Sequence, residues 1–365
     1  MRRAMTELDS EDVVREVAPV RRLHYVPALD GVRAIAVAGV FLLHLARAYV
    51  PGGAFGVDVF FALSAFLITG LLIQERETAG TIRFGAFYWR RVFRLAPALI
   101  LWLMLASVTA VLAGQAGKVA WSVAGSLFYF MDFLEAWTDH VANAFNQAWS
   151  LSIEEQFYFV WPALLLFVIF RLSPRAQRYF LAASVVAATA LALTNPNYFL
   201  PTGHLLPLIL GCWAAEQSAR GVSPWVRAVV RLPFMGLVPL AVFVLAALGE
   251  TRLHIDVALV IAVDFAAALL ILTIVQNENA PVNRMLGSLV PRWVGARSYG
   301  VYLYGLTLIQ LVPMLTGLRL TYAAPVDVVV TLIVVAVSYR FVESPIRARG
   351  RRWLKSRRLR RESAA

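Results

Sequence analysis

"LDGVRAIAVAGVFLLH" (residues 29–44) reads as one membrane span carrying two polar side chains, Arg33 near its start and His44 near its end. At about 100° per residue, the eleven steps between them return a helix to within about 20° of its starting direction. Arg33 and His44 therefore share one face, about 16 Å apart along the axis. A charge kept inside an apolar helix is costly and usually faces a bundle interior or a watery cavity. A blander reading stands beside this one, in which Arg33 snorkels to a headgroup and His44 sits at the opposite interface.

The rest of the chain shares the character of that stretch. Its 365 residues are 60% apolar and 15% charged, well beyond the roughly 45–50% apolar content of soluble domains. Repeated runs of about 18 or more apolar residues define an all-α, polytopic integral membrane bundle. The first thirty residues are polar and lack the apolar core of a cleavable signal peptide. Cys212 is the single cysteine, so no intrachain disulfide forms. No short repeat, metal-spaced Cys/His cluster or phosphate-binding Gly loop occurs, so no metal site is expected.

Ten spans are expected, near 32–49, 56–74, 95–113, 151–170, 179–193, 203–219, 233–249, 255–275, 298–316 and 325–342. The stretch 119–134, "VAWSVAGSLFYFMDFL", is read as interfacial or re-entrant, because an eleventh span would turn Arg171, Arg175 and Arg178 outward. Both termini then lie in the cytoplasm. In this threading 30 of the 34 Lys and Arg face inward and only Arg47, Lys118, Arg252 and Arg319 face outward, the asymmetry expected of cytoplasmic loops. The organisation is a cytoplasmic tail (1–28), a transmembrane domain (29–345) and a basic cytoplasmic tail (346–365). The tail "RARGRRWLKSRRLRR" (347–361) suits the anionic inner leaflet and membrane lipids, with no nucleic-acid partner expected.

Threading also assigns depth to the polar residues. His44 reaches the outer surface, Asp58 opens the second span beside it, and "WSLSIEEQFY" (149–158) puts Glu154 and Glu155 in the first outer turn of the fourth. An imidazole among carboxylates can take a hydroxyl proton at neutral pH, a carboxylate fixing its tautomer. Structural readings compete: Ser152 and Glu155 have capping-box spacing, and Asp58 can serve a helix N-terminus. On the inner side, "FYWRRVFRLAP" (87–97) supplies Arg90, Arg91 and Arg94, with Arg90 and Arg94 one turn apart. Guanidinium pairs grip phosphate, although basic flanks also anchor spans. Asp264, midway along the eighth span, is a further candidate for lining a passage or pairing with Arg33, beside the reading of a protonated structural acid.

Taken in order, these stretches resemble the membrane-bound acyltransferase family 3 proteins, O-acyltransferases of surface polysaccharides, lipids and some macrolides. The resemblance runs from about Leu29 to Pro345. Its carriers are the Arg33–His44 spacing, "GGAFGVDVFFALSAFLIT" (52–69), "YWRRVFRLAP" (88–97), "WSLSIEEQFYFVWP" (149–162), "SYGVYLYG" (298–305) and "SYRFVESP" (338–345). No one of these motifs is specific alone; six in order are.

The resemblance implies a multi-pass enzyme of the bacterial inner membrane. It would move an acyl group, acetyl foremost, from cytoplasmic acyl-CoA to a hydroxyl of a carbohydrate, lipid or macrolide-like acceptor. It gives His44 the part of general base or acyl carrier, with Arg33, Glu154 and Asp58 as further catalytic residues. Arg90, Arg91 and Arg94 become the binding set for acyl-CoA. The chain departs from the family pattern at Ala65 (often Gly), His204 (commonly Arg), Leu206 (often Asp) and Gly305 (often His). Many members carry a hydrolase-like domain after the last span; here a stand-alone member is expected. A transporter or flippase, or a non-catalytic scaffold in polysaccharide export, are the rival readings, the first weakened by the lack of paired broken helices in two halves.

Overall fold

The computed structural model describes residues 24–194, 197–232, 234–249 and 257–362, and these contain helices but no strand. In chain order they are α1 (Pro27–Leu45), α2 (Phe55–Ala79), α3 (Phe84–Leu112), the short α4 (Val119–Leu127) and α5 (Met131–Trp137), α6 (Ala148–Phe167), α7 (Pro174–Thr194) and α8 (Leu205–Arg220). After them come α9 (Pro224–Val230), α10 (Leu237–Leu248), α11 (Val257–Gln276), α12 (Pro281–Leu286), α13 (Leu289–Gly295), α14 (Ser298–Thr316), α15 (Leu320–Ser338) and α16 (Ser344–Glu362). The chain is thus an all-α polytopic membrane protein.

Each of the ten expected spans coincides with a helix, but only eight described helices are long and apolar enough to cross a bilayer: α1, α2, α3, α6, α7, α11, α14 and α15. α8 has 16 residues and α10 has 12, short of the roughly 20 a crossing takes. α8 is short because the chain enters it through a half-buried 3₁₀ turn, Pro201–His204, whose last residue, His204, is already buried in the bundle. α10 lies between Gly236 and Gly249, poor helix formers.

Small residues let the helices close. A Cβ on Gly56 of α2 would sit 2.2 Å from the Ala36 carbonyl oxygen of α1, and one on Gly295 would sit 1.7 Å from that of Asp30. Such close backbone approach is how membrane helices gain packing where lipid offers no hydrophobic drive. α1 and α2 contribute to two apolar clusters, one shared with α3, α6 and α14, the other with α8, α10 and α11.

The stretch 119–134 does not form one helix. α4 and α5 make a hairpin that turns at Tyr129, whose φ is 58°. Its tip packs against the flank of α6, where Gln156 donates to the Tyr129 carbonyl (2.9 Å) and to Asp132 (3.0 Å). The chain then returns inward, burying Phe145 against Trp102 at 5.4 Å. Gln147 donates to the Leu303 carbonyl (3.0 Å) and to Thr307 (2.9 Å). α6 therefore starts inside the bundle, with every residue from Ala148 to Ile153 buried.

That start corrects two expectations. Glu154 and Glu155 are not in an outer turn at the depth of His44; they lie in mid-bundle. Ser152 is no N-cap either, since it is the fifth residue of α6, donating to the Ala148 carbonyl and accepting from the Met131 amide, both at 3.1 Å.

At the far end of the chain, α15 passes into α16 through a π turn, Tyr339–Glu343. The expected tail is thus a continuation of the last long helix, docked on α3 by Trp353 against Trp89 (5.3 Å) and Phe93 (5.8 Å). Residues 1–23 of the expected N-terminal tail, residues 363–365 and Arg252 lie outside the described residues.

Candidate functional site

Five helices enclose a cavity of about 130 Å³. α1 contributes Arg33, α2 Ser64, α3 Arg91 and Arg94, α6 Ser150, Glu154 and Tyr158, and α14 Tyr299 and Tyr302. Three guanidiniums and one carboxylate thus converge among apolar helices, where charge is retained for function by default.

Each polar group is held differently. Arg33 is paired with Asp30 at 2.8 Å, one helical turn back, and Asp30 also accepts from the Tyr25 hydroxyl at 2.7 Å. Arg91 donates to Glu155 at 2.7 Å, and its guanidinium carbon lies 3.2 Å from the centre of the Tyr158 ring, a cation–π contact. Glu154 accepts from the hydroxyls of both Ser64 and Tyr158, close enough that the three groups form one hydrogen-bonded unit. Tyr302 and Ser150 bond to each other at 2.7 Å, and Tyr302 also donates to the Gln147 carbonyl at 3.1 Å.

Two groups stand apart. Arg94 has no hydrogen-bond or ion-pair partner among the described residues, and its side chain is open to the cavity. The Tyr299 hydroxyl is buried with no described partner. Both are donors: Arg94 is exposed where it meets the cavity, whereas the buried Tyr299 hydroxyl left unpaired costs about 1–3 kcal/mol. The site thus presents spare donors, the complement of an anionic or carbonyl-bearing ligand.

Four of the expected site residues therefore meet: Arg33, Arg91, Arg94 and Glu154. Arg90 does not join them; it is half-exposed and paired with Glu75 at 3.2 Å. Asp58 and His44 do not line the cavity either. Asp58 accepts from His204 Nδ1 at 2.8 Å, while His204 Nε2 lies 2.8 Å from the Tyr198 carbonyl. The rings of Phe61, Trp149 and Tyr198 surround that imidazole at 5.1–5.3 Å. Where the family commonly has Arg, His204 thus supplies a donor to Asp58. His44 stands exposed at the far end of α1, its Nδ1 at 2.9 Å from the Val40 carbonyl. Since a carbonyl only accepts, that nitrogen carries the proton, and in the neutral ring Nε2 is left with the lone pair.

Other departures have packing explanations. A Cβ on Gly305 would come within 2.8 Å of the Phe41 ring, so Phe41 occupies the room a His there would need. Leu206 is buried apolar core. Ala65 meets the tight α2–α8 crossing, 2.9 Å from where Gly211 would carry a Cβ. Asp264 is buried, lines no part of the cavity and has no described hydrogen-bond partner. Arg33 pairs with Asp30 rather than with it.

The sequence reading missed Ser64, Tyr158, Tyr299 and Tyr302 as site residues. Tyr158 had a usable signal: it follows Glu154 by four residues, so the two share a helix face. Ser64 and the two tyrosines sit in quoted motifs, but nothing in their spacing marks them as cavity-facing.

A membrane-embedded helical bundle with a cation-rich polar cavity defines the class, a polytopic membrane protein with polar groups gathered inside its helices. More particularly, the chain belongs to the family described as "Acyltransferase domain", whose model matches residues 26–342. It is similar to the peptidoglycan O-acetyltransferase OatA of Listeria monocytogenes, 29% identical over 353 residues, covering 89% of this chain and 56% of the relative. It is equally similar to the O-acetyltransferase OatA of Staphylococcus aureus strain NCTC 8325, 29% identical over 359 residues, covering 89% and 58%. The chain thus spans somewhat over half the length of these relatives. No solved structure matches it.

Proposed function

We propose that this protein is an O-acyltransferase of the bacterial inner membrane, using cytoplasmic acyl-CoA, acetyl-CoA foremost, to esterify a hydroxyl of a cell-envelope carbohydrate, lipid or small-molecule acceptor. The observation that carries the reading is Arg94, an unpaired cation opening into the same cavity as Arg33, Arg91 and Glu154. By the positive-inside rule the basic end of the bundle is cytoplasmic, the side from which a nucleotide-borne donor comes. The cavity has room for a short acyl head or a phosphate group but not a whole nucleotide, so the bulk of the donor stays at that end, where Arg90 also lies.

A bound donor supplies an activated thioester carbonyl. Arg94 and the Tyr299 hydroxyl are placed to donate to an oxygen on it, stabilising charge as it develops. Arg33 and Arg91 are neutralised by Asp30 and Glu155 and so act as positioning donors. A base takes the acceptor's proton as its oxygen attacks the carbonyl carbon and the carbon–sulfur bond breaks, the proton ending on the departing thiolate.

Two groups can be that base. His44 is the first: its Nε2 lone pair is free in the neutral ring, and it stands exposed at the end of α1 opposite Arg33. The main-chain carbonyl of Val40 does for it what a carboxylate does in other imidazole bases. Glu154 is the second, favoured by one observation: its carboxylate, not the imidazole, faces the cavity.

Acetyl transfer by the purified protein in nanodiscs, with labelled acetyl-CoA, tests the function, and two variants separate the bases. Loss of the base should cost about 10²–10⁴-fold in rate. If only His44→Ala has that effect, the first assignment holds; if only Glu154→Gln does, the second. Full activity in both would refute acid–base chemistry at either group, and no consumption of acetyl-CoA by the unaltered protein would refute the function.

A further inference from the structure

A second hollow, about 460 Å³, lies on the flank of the bundle between α3 and α6, under the tip of the α4–α5 hairpin. Its rim is apolar and open: Val92 is 46% exposed, Phe128 76%, Phe159 73% and Val160 59%. α3 and α6 are two of the eight long apolar helices, and the groove sits where the basic inner end of α3 passes into its apolar run, so its open side meets the lipid interface. Whatever fills the groove arrives by way of the bilayer.

The floor is of another kind. Arg91 and Glu155 form it, paired at 2.7 Å with side chains 13% and 14% exposed. Arg91 Nε is buried without a described partner. Arg91 and Leu95 line both this groove and the central cavity, so these two side chains form the partition between them, with Glu155 holding Arg91 from the groove side. A wall that only had to separate lipid from a polar cavity would be cheaper built from apolar side chains, because a buried ion pair seldom repays its desolvation. An ion pair, unlike packed apolar side chains, can exchange one partner for a ligand.

We infer that this groove holds the hydrocarbon chain of a lipid-anchored acceptor. The acceptor's head group passes Arg91 and brings a hydroxyl into the cavity from the side. The inference rests on the acyl-transfer reading and adds to it a substrate class and a route. The groove's size falls within the range of ordinary ligand sites, about 300–1,000 Å³. Its polar floor and apolar rim match a molecule with a hydroxylated head and one long tail.

The test uses the full chain in phosphatidylglycerol nanodiscs and, as probe, dodecyl glucoside carrying a photoreactive diazirine on its chain. Cross-links are expected within 88–96, 128–129 and 155–160, displaced by unlabelled dodecyl glucoside. Ala96→Phe, on the groove wall, should cut labelling at least about tenfold; Val160→Trp on the opposite wall is the second variant if the first fails to fold. Acetyl transfer to dodecyl glucoside should exceed transfer to methyl glucoside and fall in the same variants, while acetyl-CoA binding is unchanged. Labelling elsewhere, labelling by a photoreactive phospholipid that dodecyl glucoside cannot displace, or preferential labelling by a photoreactive palmitoyl-CoA would each overturn the inference. Groove labelling without any acetyl-CoA turnover would instead overturn the acyl-transfer reading and leave a lipid site.

Discussion

Two polar nests lie on either side of Phe61, and they are built to opposite rules. In the nest of Asp58, His204 and Tyr198, both imidazole nitrogens have oxygen partners at 2.8 Å and aromatic rings close the remaining faces. In the cavity of Glu154, the guanidinium of Arg94 and the hydroxyl of Tyr299 are left without partners. A satisfied buried network rigidifies and specifies a fold, while an unsatisfied one keeps a free-energy cost that only a ligand removes. Under the proposed function, the same residue types, an acid beside basic and aromatic groups, would serve structure in the first nest and chemistry in the second.

Substitutions can break that contrast. The largest effect expected is on turnover: Arg94→Ala should abolish most acetyl transfer, on the order of 10²–10³-fold if its guanidinium stabilises the developing oxyanion. Thermal stability should hold, because Arg94 is exposed and makes no hydrogen bond or ion pair among the described residues that the change could remove. Asp58→Ala should do the reverse. It strands a buried imidazole and should cost about 3–5 kcal/mol of stability, read as a lowered unfolding temperature, while turnover per folded molecule persists. Equal loss of turnover in both variants, at matched stability, would erase the distinction.

A smaller effect tests the partition between groove and cavity. Arg91→Leu and Glu155→Leu should each destabilise strongly, since each leaves the other charge buried and alone. The double replacement should recover most of that loss, leaving a coupling energy of about 1–3 kcal/mol across the pair. Additive losses would mean that the two side chains do not act as a pair.

Much of the fold is legible in the sequence because lipid demands long apolar runs, and these mark α1, α2, α3, α6, α7, α11, α14 and α15. Depth along a span is less legible. α6 starts inside the bundle because Gln147 is held by Leu303 and Thr307, more than 150 residues away, and hydropathy contains no such information. The cavity is half legible for the same reason. Arg33, Arg91, Arg94 and Glu154 stand out as charges among apolar neighbours, whereas Ser64 and Tyr299 carry no charge and no period that marks them. Asp58 is conspicuous in the sequence, yet its partner His204 lies 146 residues on, and only tertiary structure brings them together.

The smallest expected effect lies in the α4–α5 hairpin, outside the spanning helices. Burial pushes the Glu135 carboxyl up to about 7, against a partial offset from Lys118, and its Oε1 is buried without a described partner. A carboxyl raised on folding binds its proton more tightly in the native state, so the native state holds more protons than the unfolded one between about 4.5 and about 7. Its contribution is therefore most favourable at or below pH 4.5 and is lost as the pH rises through 7. Unfolding temperature across that window should fall with rising pH by a small increment that Glu135→Gln removes. Unlike Asp58, this acid has no imidazole to satisfy it, and unlike Glu154 it has no hydroxyl donors, so burial outweighs the Lys118 charge in setting its behaviour. A Glu135→Gln variant whose pH profile superimposes on the unaltered protein would show that the hairpin leaves this carboxyl to solvent.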